Sequence, residues 1–468
     1  MSPLGTRSLA VRAIFAFTAC ASLSALARQP PPPSPAEMDS KLAYLKANAI
    51  PFRSIEPADD DFSDLLPLKA LIGERRVVML GEQSHGDGAC FKTKSRLVRF
   101  LHHEMGFTVL SWECGLFDCL AVDDAFRRGE PADKAWEHGI FGIWSLSKEA
   151  FPAIDYARAT YDTERPLIMA GFDNQFTSGA GPKRLPAFLA EFFDESNEGV
   201  AEPDRLYTTA QRAAIKKLAA RFEVIDQRAM NAEPAELDDV HALLTAIDAH
   251  RERLDKAHGP RRVALVERVL LNLVAFTRQL VASASNEHVT AGNIRDKAMG
   301  QTLAFLADVY YPDRKIIAWA ASMHLTRDAK GVRLVESSIA YDDSKTMGQW
   351  VDELLGDEVY SVMFTAARGE AGLAWNNAFP ISPPREGSLE AIFDQVGPDH
   401  FLLDFRALRD AADAPRAAST PAPTPHWLMT PQVARPFGYG WGRAVWPRHF
   451  DAVIFNRNMT KSTHTQWK

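Results

Sequence analysis

Several short runs of this chain end in groups that do acid–base chemistry. Arg76–Gly81 (RVVMLG) leads into Glu82 and, three residues on, His85, while Phe107–Trp112 (FTVLSW) leads straight into Glu113. Asp173 closes the run from Pro166 (PLIMAGF), and His324 follows Lys315–Ala320 (KIIAWA). An imidazole titrates near neutrality and a carboxylate beside it raises its basicity, so Glu82 with His85 suits a general base that takes a proton from water. Acids at the rim of a core have their pKa values shifted by desolvation and by neighbours. The alternative for any one acid is that it caps the following helix, a role that Asp, Ser and Asn fill well and Glu poorly. Glu82, His85, Glu113 and His324 also make a donor set for zinc or manganese, with a position left for water. Glu-x-x-His on a turn differs from the helical His-Glu-x-x-His of zinc proteases, so a divalent metal is not the favoured reading and no cofactor is expected. A Ser-His-Asp hydrolase is weaker still, because Ser84 adjoins His85 but no G-x-S-x-G elbow carries a serine.

These groups are scattered from residue 82 to residue 324, so the fold must bring them together. The runs that precede them are short, apolar and rich in Val, Ile, Leu and Met, as strands buried on both faces are. Amphipathic stretches between them give the β-α-β rhythm of a parallel sheet, whose carboxyl ends share one edge where open α/β folds place their sites. Val359–Phe364, His400–Phe405 and Ala452–Phe455 predict further strands. Gln211–Arg228, Ala235–Leu254 and Arg261–Ala282 have helical spacing and no convincing strand between them. The expected fold is therefore α/β, a mostly parallel central sheet flanked by helices with an inserted helical subdomain. Its first part spans 38–182, the insert 183–290 (a candidate lid or dimer surface) and its second part 291–460.

Gly81, Gly86 and Gly88 predict a tight turn around His85. In the helix after it, Phe91, Val98, Leu101 and Met105 line one face, and Lys94 falls on that face. Lys94 then neutralises the carboxylates, holds a negative group of the substrate, or packs its stem and sends its ammonium to water. His102 and His103 read as a solvated helix face, and His241, His250 and His258 belong to the insert. Trp136, Trp144 and Trp375 read as pocket or core aromatics.

Composition sets the outer bounds. The 468 residues are 46% hydrophobic and 24% charged, an ordinary globular composition with chain enough for one large or two to three modest domains. A net charge of −7 with no basic block excludes a nucleic-acid binder that works by phosphate neutralisation. Residues 1–27 carry Arg7 and Arg12, no acid, an apolar stretch and Ala25-Leu26-Ala27, which reads as a secretory signal and predicts a periplasmic or secreted protein. Phe17-Thr18-Ala19-Cys20 is a poor lipidation box. The apolar stretch falls short of the roughly 20 residues of a membrane span. Residues 28–37 form a proline-rich tether, and Ala411–Pro425 a flexible loop by composition. Four cysteines without paired Cys-x-x-Cys spacing exclude a zinc ribbon. Past the signal, Cys90, Cys114 and Cys119 allow one disulfide with a free thiol or three buried thiols. Composition leaves the oligomeric state open.

Gly81-Glu82-Gln83-Ser84-His85-Gly86, the helix after it, and Phe107-Thr108-Val109 leading to Glu113 resemble the erythromycin esterase family. That family's pattern is G-E-x-x-H-G, a basic residue nine positions after the His and a Glu nineteen beyond that, the spacings at which His85, Lys94 and Glu113 stand. Further matches are Gly171-Phe172-Asp173 with Gln175, Arg295-Asp296 followed by Met299, Trp319-Ala320, Met347-Gly348 and Phe450-Asp451-Ala452-Val453-Ile454. The resemblance covers most of the chain and implies hydrolysis of a carboxylic ester or lactone. It makes His85 the base and Glu82 the residue that orients it, with Glu113 and His324 positioning water or stabilising developing charge. It also implies Lys94, Asp173, Gln175 and Arg295 as substrate-binding residues. The oxyanion would be met by Lys94, protonated His324 or backbone N–H groups near Gly86–Gly88. The partner expected is a small-molecule ester, with no nucleic acid and no membrane span.

Two departures stand out. The family usually has arginine where Lys94 stands, so a planar fork is replaced by a point charge. Its Trp-Ala-His-Asn-x-His run reads Trp319-Ala320-Ala321-Ser322-Met323-His324 here. One imidazole of the macrolide esterases is missing, and macrolide hydrolysis does not follow. A non-catalytic binding protein on the esterase fold is the reading that draws on these departures.

Overall fold

The computed structural model describes residues 33–201, 204–223, 230, 232–335, 340–414 and 424–465. The expected signal segment, Cys20, residues 28–32 of the tether and 415–423 of the expected loop lie outside the described residues. The first described element is the helix Pro35–Asn48, which begins upstream of the boundary expected near Met38. Ser34 caps it, with Oγ accepting from the Glu37 N–H while the Glu37 carboxylate accepts from the Ser34 N–H, and Pro35 fills the first turn. At the other end, the helix Arg406–Asp413 takes up the first residues of the loop expected from Ala411.

Every expected strand is present. In chain order the strands are β1 (Ile50–Pro51), β2 (Val77–Leu80), β3 (Phe107–Gly115), β4 (Ile168–Asp173), β5 (Lys315–Trp319) and β6 (Arg333–Leu334). They continue with β7 (Val359–Ala371), β8 (Phe379–Pro380), β9 (His400–Asp404), β10 (Gln432–Phe437), β11 (Gly440–Ala444) and β12 (Ala452–Met459). Nine of them form one sheet in the order β1-β9-β12-β7-β2-β5-β3-β4, with β8 paired to β7. All neighbours from β12 to β4 are parallel, whereas β9 and β1 are antiparallel additions at the edge.

Alternate residues feed opposite faces of this sheet, as the pleat requires. Val77, Met79, Ile316 and Ala318 enter one core; Val78, Leu80, Ile317 and Trp319 enter the other. The expected insert consists of helices Gly181–Ser196, Thr209–Glu223, Glu236–Ala249, Arg251–His258 and Pro260–Ala284. Its Leu189, Val240, Leu254 and Val266 share one core with Val77 and Met79, so the insert extends a sheet face. The helix His288–Phe305 crosses the boundary drawn at 290 and carries Arg295 and Asp296 back to the sheet. Helices Gly88–Met105, Leu116–Arg127 and Phe151–Thr160 cover the other face.

Three details differ from expectation or settle an open one. His102 is buried rather than solvated: Nδ1 lies 2.7 Å from Tyr156 Oη and Nε2 donates to the Arg165 carbonyl at 3.1 Å. Its neighbour His103 is exposed. Cys90, Cys114 and Cys119 are buried free thiols, and burial pushes Cys90 and Cys114 up. The antiparallel sheet β10-β11-β6 has no continuous apolar run to announce it, because each of its strands carries an arginine (Arg435, Arg443, Arg333) and its register breaks between Ala434 and Phe437. Among the described residues no helix is long and apolar enough to cross a membrane.

Candidate active site

Strand β2 lies between β7 and β5, with Leu80 level with Val362 and Trp319, and Trp112 of β3 is level with Trp319 as well. The expected acids and imidazoles therefore leave the sheet at one height. At Gly81 a Cβ would stand 2.4 Å from Ser322 Oγ and 2.8 Å from the Val362 carbonyl oxygen, so only glycine lets the chain pass. The Ser322 N–H donates to the Glu82 carbonyl at 2.8 Å, lacing the end of β2 to the segment that carries His324.

Glu82 is fully buried and meets four donors. Oε1 accepts from His85 Nδ1 at 2.7 Å and Trp144 Nε1 at 3.1 Å, and Oε2 accepts from Lys94 Nζ at 2.7 Å and Trp319 Nε1 at 2.9 Å. A carboxylate only accepts, so the neutral imidazole carries its proton on Nδ1 and presents a lone pair on Nε2. That nitrogen has no hydrogen-bond partner among the described residues, and the His85 side chain is 37% exposed. Burial lowers the His85 pKa, but the bond to Glu82 and the charge of Glu113 outweigh it and leave the group above its ordinary value. Trp144 stands edge-on to the ring at 5.5 Å.

Lys94 departs from one expectation. It has no exposed surface; its ammonium also donates to the Ala320 carbonyl at 3.3 Å and sits 4.2 Å from the Trp319 ring. Burial lowers its pKa, against the pull of Glu82. A cation enclosed in this way neutralises Glu82 and has no surface open to a substrate.

A second cluster centres on Arg295. Its Nη2 donates to Glu113 Oε1 at 2.9 Å and Asp173 Oδ2 at 2.6 Å, and its Nη1 lies 3.1 Å from His324 Nε2. Glu113 Oε2 accepts the Ala321 N–H at 2.9 Å, and Oε1 lies 3.3 Å from His324 Nε2. His324 Nδ1 is 2.5 Å from Asp296 Oδ1. Burial pushes Glu113 up, yet His324, Arg295 and His85 hold its carboxyl down at about 2. Burial pushes His324 down, and Asp296 with Glu113 more than reverses it. Asp173 is buried beneath Arg295, where it anchors the guanidinium, and it borders the pocket that Gln175 lines. Gln175 is half-buried and lines a small pocket with Phe176, Asn272 and Leu273 on the side of the insert.

Two of the backbone donors expected for an oxyanion are occupied. Gly86 N–H donates to Ser84 Oγ at 3.3 Å and Gly88 N–H to the Thr460 carbonyl at 2.7 Å. His324 and Arg295, about one-fifth exposed, are the cationic groups of the cluster with open surface. No group of three or more His, Cys, Asp or Glu among the described residues is arranged to hold a metal ion. Sequence reasoning assigned Asp296, Trp144 and Trp319 no role toward Glu82 or His324; the adjacency of Asp296 to Arg295 was the signal for the first, and the indoles stood only as a pocket or core aromatic and a family match.

The family profile of the erythromycin esterases matches residues 102–459. This chain belongs to the erythromycin esterase family. Erythromycin esterase type II of Escherichia coli is 40% identical to it over 391 residues, covering 78% of this chain and 88% of that protein. YbfO of Bacillus subtilis (strain 168), whose name assigns it to the hydrolases, is 24% identical over 414 residues, 85% of this chain and 87% of that one. A crystal structure from Bacillus cereus superimposes with a TM-score of 0.71 at 19% identity over 92% of this chain and 99% of its own. A histidine mutant of an erythromycin esterase, in its open conformation, gives a TM-score of 0.60 at 17% identity, covering 88% and 98% of the two chains. These likenesses show the shared α/β fold. Family and relatives place this erythromycin esterase family member among the hydrolases. At the position of the missing family histidine, Ala321 contributes its backbone N–H to Glu113.

Proposed function

We propose that this protein hydrolyses a carboxylic ester or lactone, with His85 as general base. The observation that carries the reading is the 2.7 Å contact from Glu82 to His85 Nδ1, which leaves Nε2 free to take a proton. Water gives that proton to Nε2 as its oxygen bonds to the carbonyl carbon. The oxyanion faces the Arg295 guanidinium and the His324 imidazolium, whose proton Asp296 and Glu113 favour. Collapse breaks the bond to the leaving oxygen, and protonated His85 returns the proton to it. Glu82, Glu113, Asp173 and Asp296 outnumber the fixed cations Lys94 and Arg295, so the site favours neutral or cationic esters over anionic ones. Export through residues 1–27 belongs to the same proposal and is supported by their charge and apolar pattern. Purified protein is tested on a panel of activated esters and lactones beside His85→Ala. Turnover that depends on His85 supports the reading, and wild type inert on every member overturns it.

A further inference from the structure

Strand β7 runs past the sheet edge to Ala371 and turns back into β8, Ala371 facing Phe379 and Glu370 facing Pro380. The loop between them, 372–378, is rooted on the catalytic turn. Gly372 N–H donates to the Gly86 carbonyl at 3.2 Å, and a Cβ on Gly86 would stand 2.4 Å from the Gly372 carbonyl carbon. The loop thus starts against the residue that follows His85.

Two aromatics at this hairpin face solvent: Trp375 is 50% exposed and Phe379 46%. Each is backed by the site. A Cβ on Gly142 would lie 4.0 Å from Trp375 Cζ3, and Gly142–Ser145 is the helical turn that holds Trp144 edge-on to His85. Phe379 meets Tyr439 edge-on at 6.1 Å, and Tyr439 Oη donates to Asp87 Oδ1 at 2.8 Å. Residues 372–380 contain no charged side chain, and Lys461 beside them gives its ammonium to the Ala374 and Ser462 carbonyls. Large aromatic surface left in water on a loop packed against the catalytic turn, uncharged and held from behind, fits a ligand with a flat apolar face.

We propose that Trp375 and Phe379 form a docking face beside His85 for a neutral ester bearing a flat, uncharged ring. This rests on the hydrolytic reading above and names the substrate class for the same site. The ring lies on the indole and the phenyl while its carbonyl reaches the space between His85 and Arg295.

The probe is 2-acetonaphthone, a flat ketone that cannot be hydrolysed, titrated calorimetrically into wild type, Trp375→Ala, Trp375→Phe, Phe379→Ala and His85→Ala. Wild type and His85→Ala are expected to bind alike, Trp375→Ala about tenfold more weakly, and Trp375→Phe to recover most of the loss. With 2-naphthyl acetate as substrate, Trp375→Ala is expected to raise KM about tenfold with the smaller change in kcat. No binding by wild type, or equal binding by wild type and both alanine variants, overturns the docking face. Binding that needs Trp375 in a protein inert on every ester keeps the docking face and overturns the hydrolytic reading. His85-dependent turnover of 2-naphthyl acetate indifferent to Trp375 does the reverse.

Discussion

Glu82 Oε1 lies 2.7 Å from His85 Nδ1, and this contact decides which imidazole nitrogen meets water. The same carboxylate takes the Lys94 ammonium on its other oxygen, so the base, its orienting acid and a neutralising cation form one buried line. Activity requires the deprotonated imidazole, and its pKa is raised, so kcat/KM is expected to climb with pH about a midpoint above ~6.5. An amide at Glu82 removes a cause of that rise while burial, which lowers the pKa, remains. Glu82→Gln should therefore move the midpoint to lower pH and reduce kcat by about 10²–10⁴-fold. A pH–rate profile of the two proteins checks this, and an unmoved midpoint contradicts it.

Lys94→Met keeps most of the volume but strands the Glu82 charge in the core. Breaking one partner of a buried pair costs about 3–5 kcal/mol. Urea unfolding is expected to show a loss of that size, and a variant as stable as wild type would contradict it.

Arg295→Lys retains charge but loses the fork that spans Glu113 and Asp173. A fall in kcat of about 10²-fold is expected with the fold intact, the usual cost of one misplaced oxyanion donor. Steady-state kinetics with circular dichroism decide it; wild-type kcat would remove Arg295 from the reaction.

Asp87 is buried under the turn, accepting from Tyr439 Oη and Ser84 Oγ at 2.8 Å each, and burial pushes its carboxyl up to about 7. The folded state thus holds this proton more tightly than the unfolded chain, where Asp titrates near ~3.9. The stability it contributes is complete below ~3.9 and is lost as pH rises through about 7, by up to about 4 kcal/mol. Asp87→Asn removes the titration, so its melting temperature should gain on wild type between pH 5 and pH 8. Parallel melting curves over that range would refute it.

The strands and the working acids were legible because both carry local signals. Val77–Leu80 and Ile316–Trp319 are continuous apolar runs, and Glu82, Glu113, Asp173 and His324 follow their runs within a few residues. The hairpin at Gln432–Ala444 was not legible, since Arg435 and Arg443 interrupt its strands and leave no continuous apolar run, although Gly438 N–H clamps the Gln83 carbonyl at 2.7 Å. His102 misled for the opposite reason: a histidine pair near a helix end looks solvated until Tyr156, from a distant helix, covers one of the two.

What the sequence by itself determined is the α/β sheet and the edge on which its acids and imidazoles gather, because apolar periodicity dictates burial and parallel strands share their carboxyl ends. Only the tertiary structure decided the allocation of partners among them. Lys94 went to Glu82, Asp173 to Arg295, and the Gly86 and Gly88 N–H groups to Ser84 and Thr460. These buried donors pair with acceptors that the fold brings within reach, and those acceptors come from segments whose order along the chain does not foretell their distance.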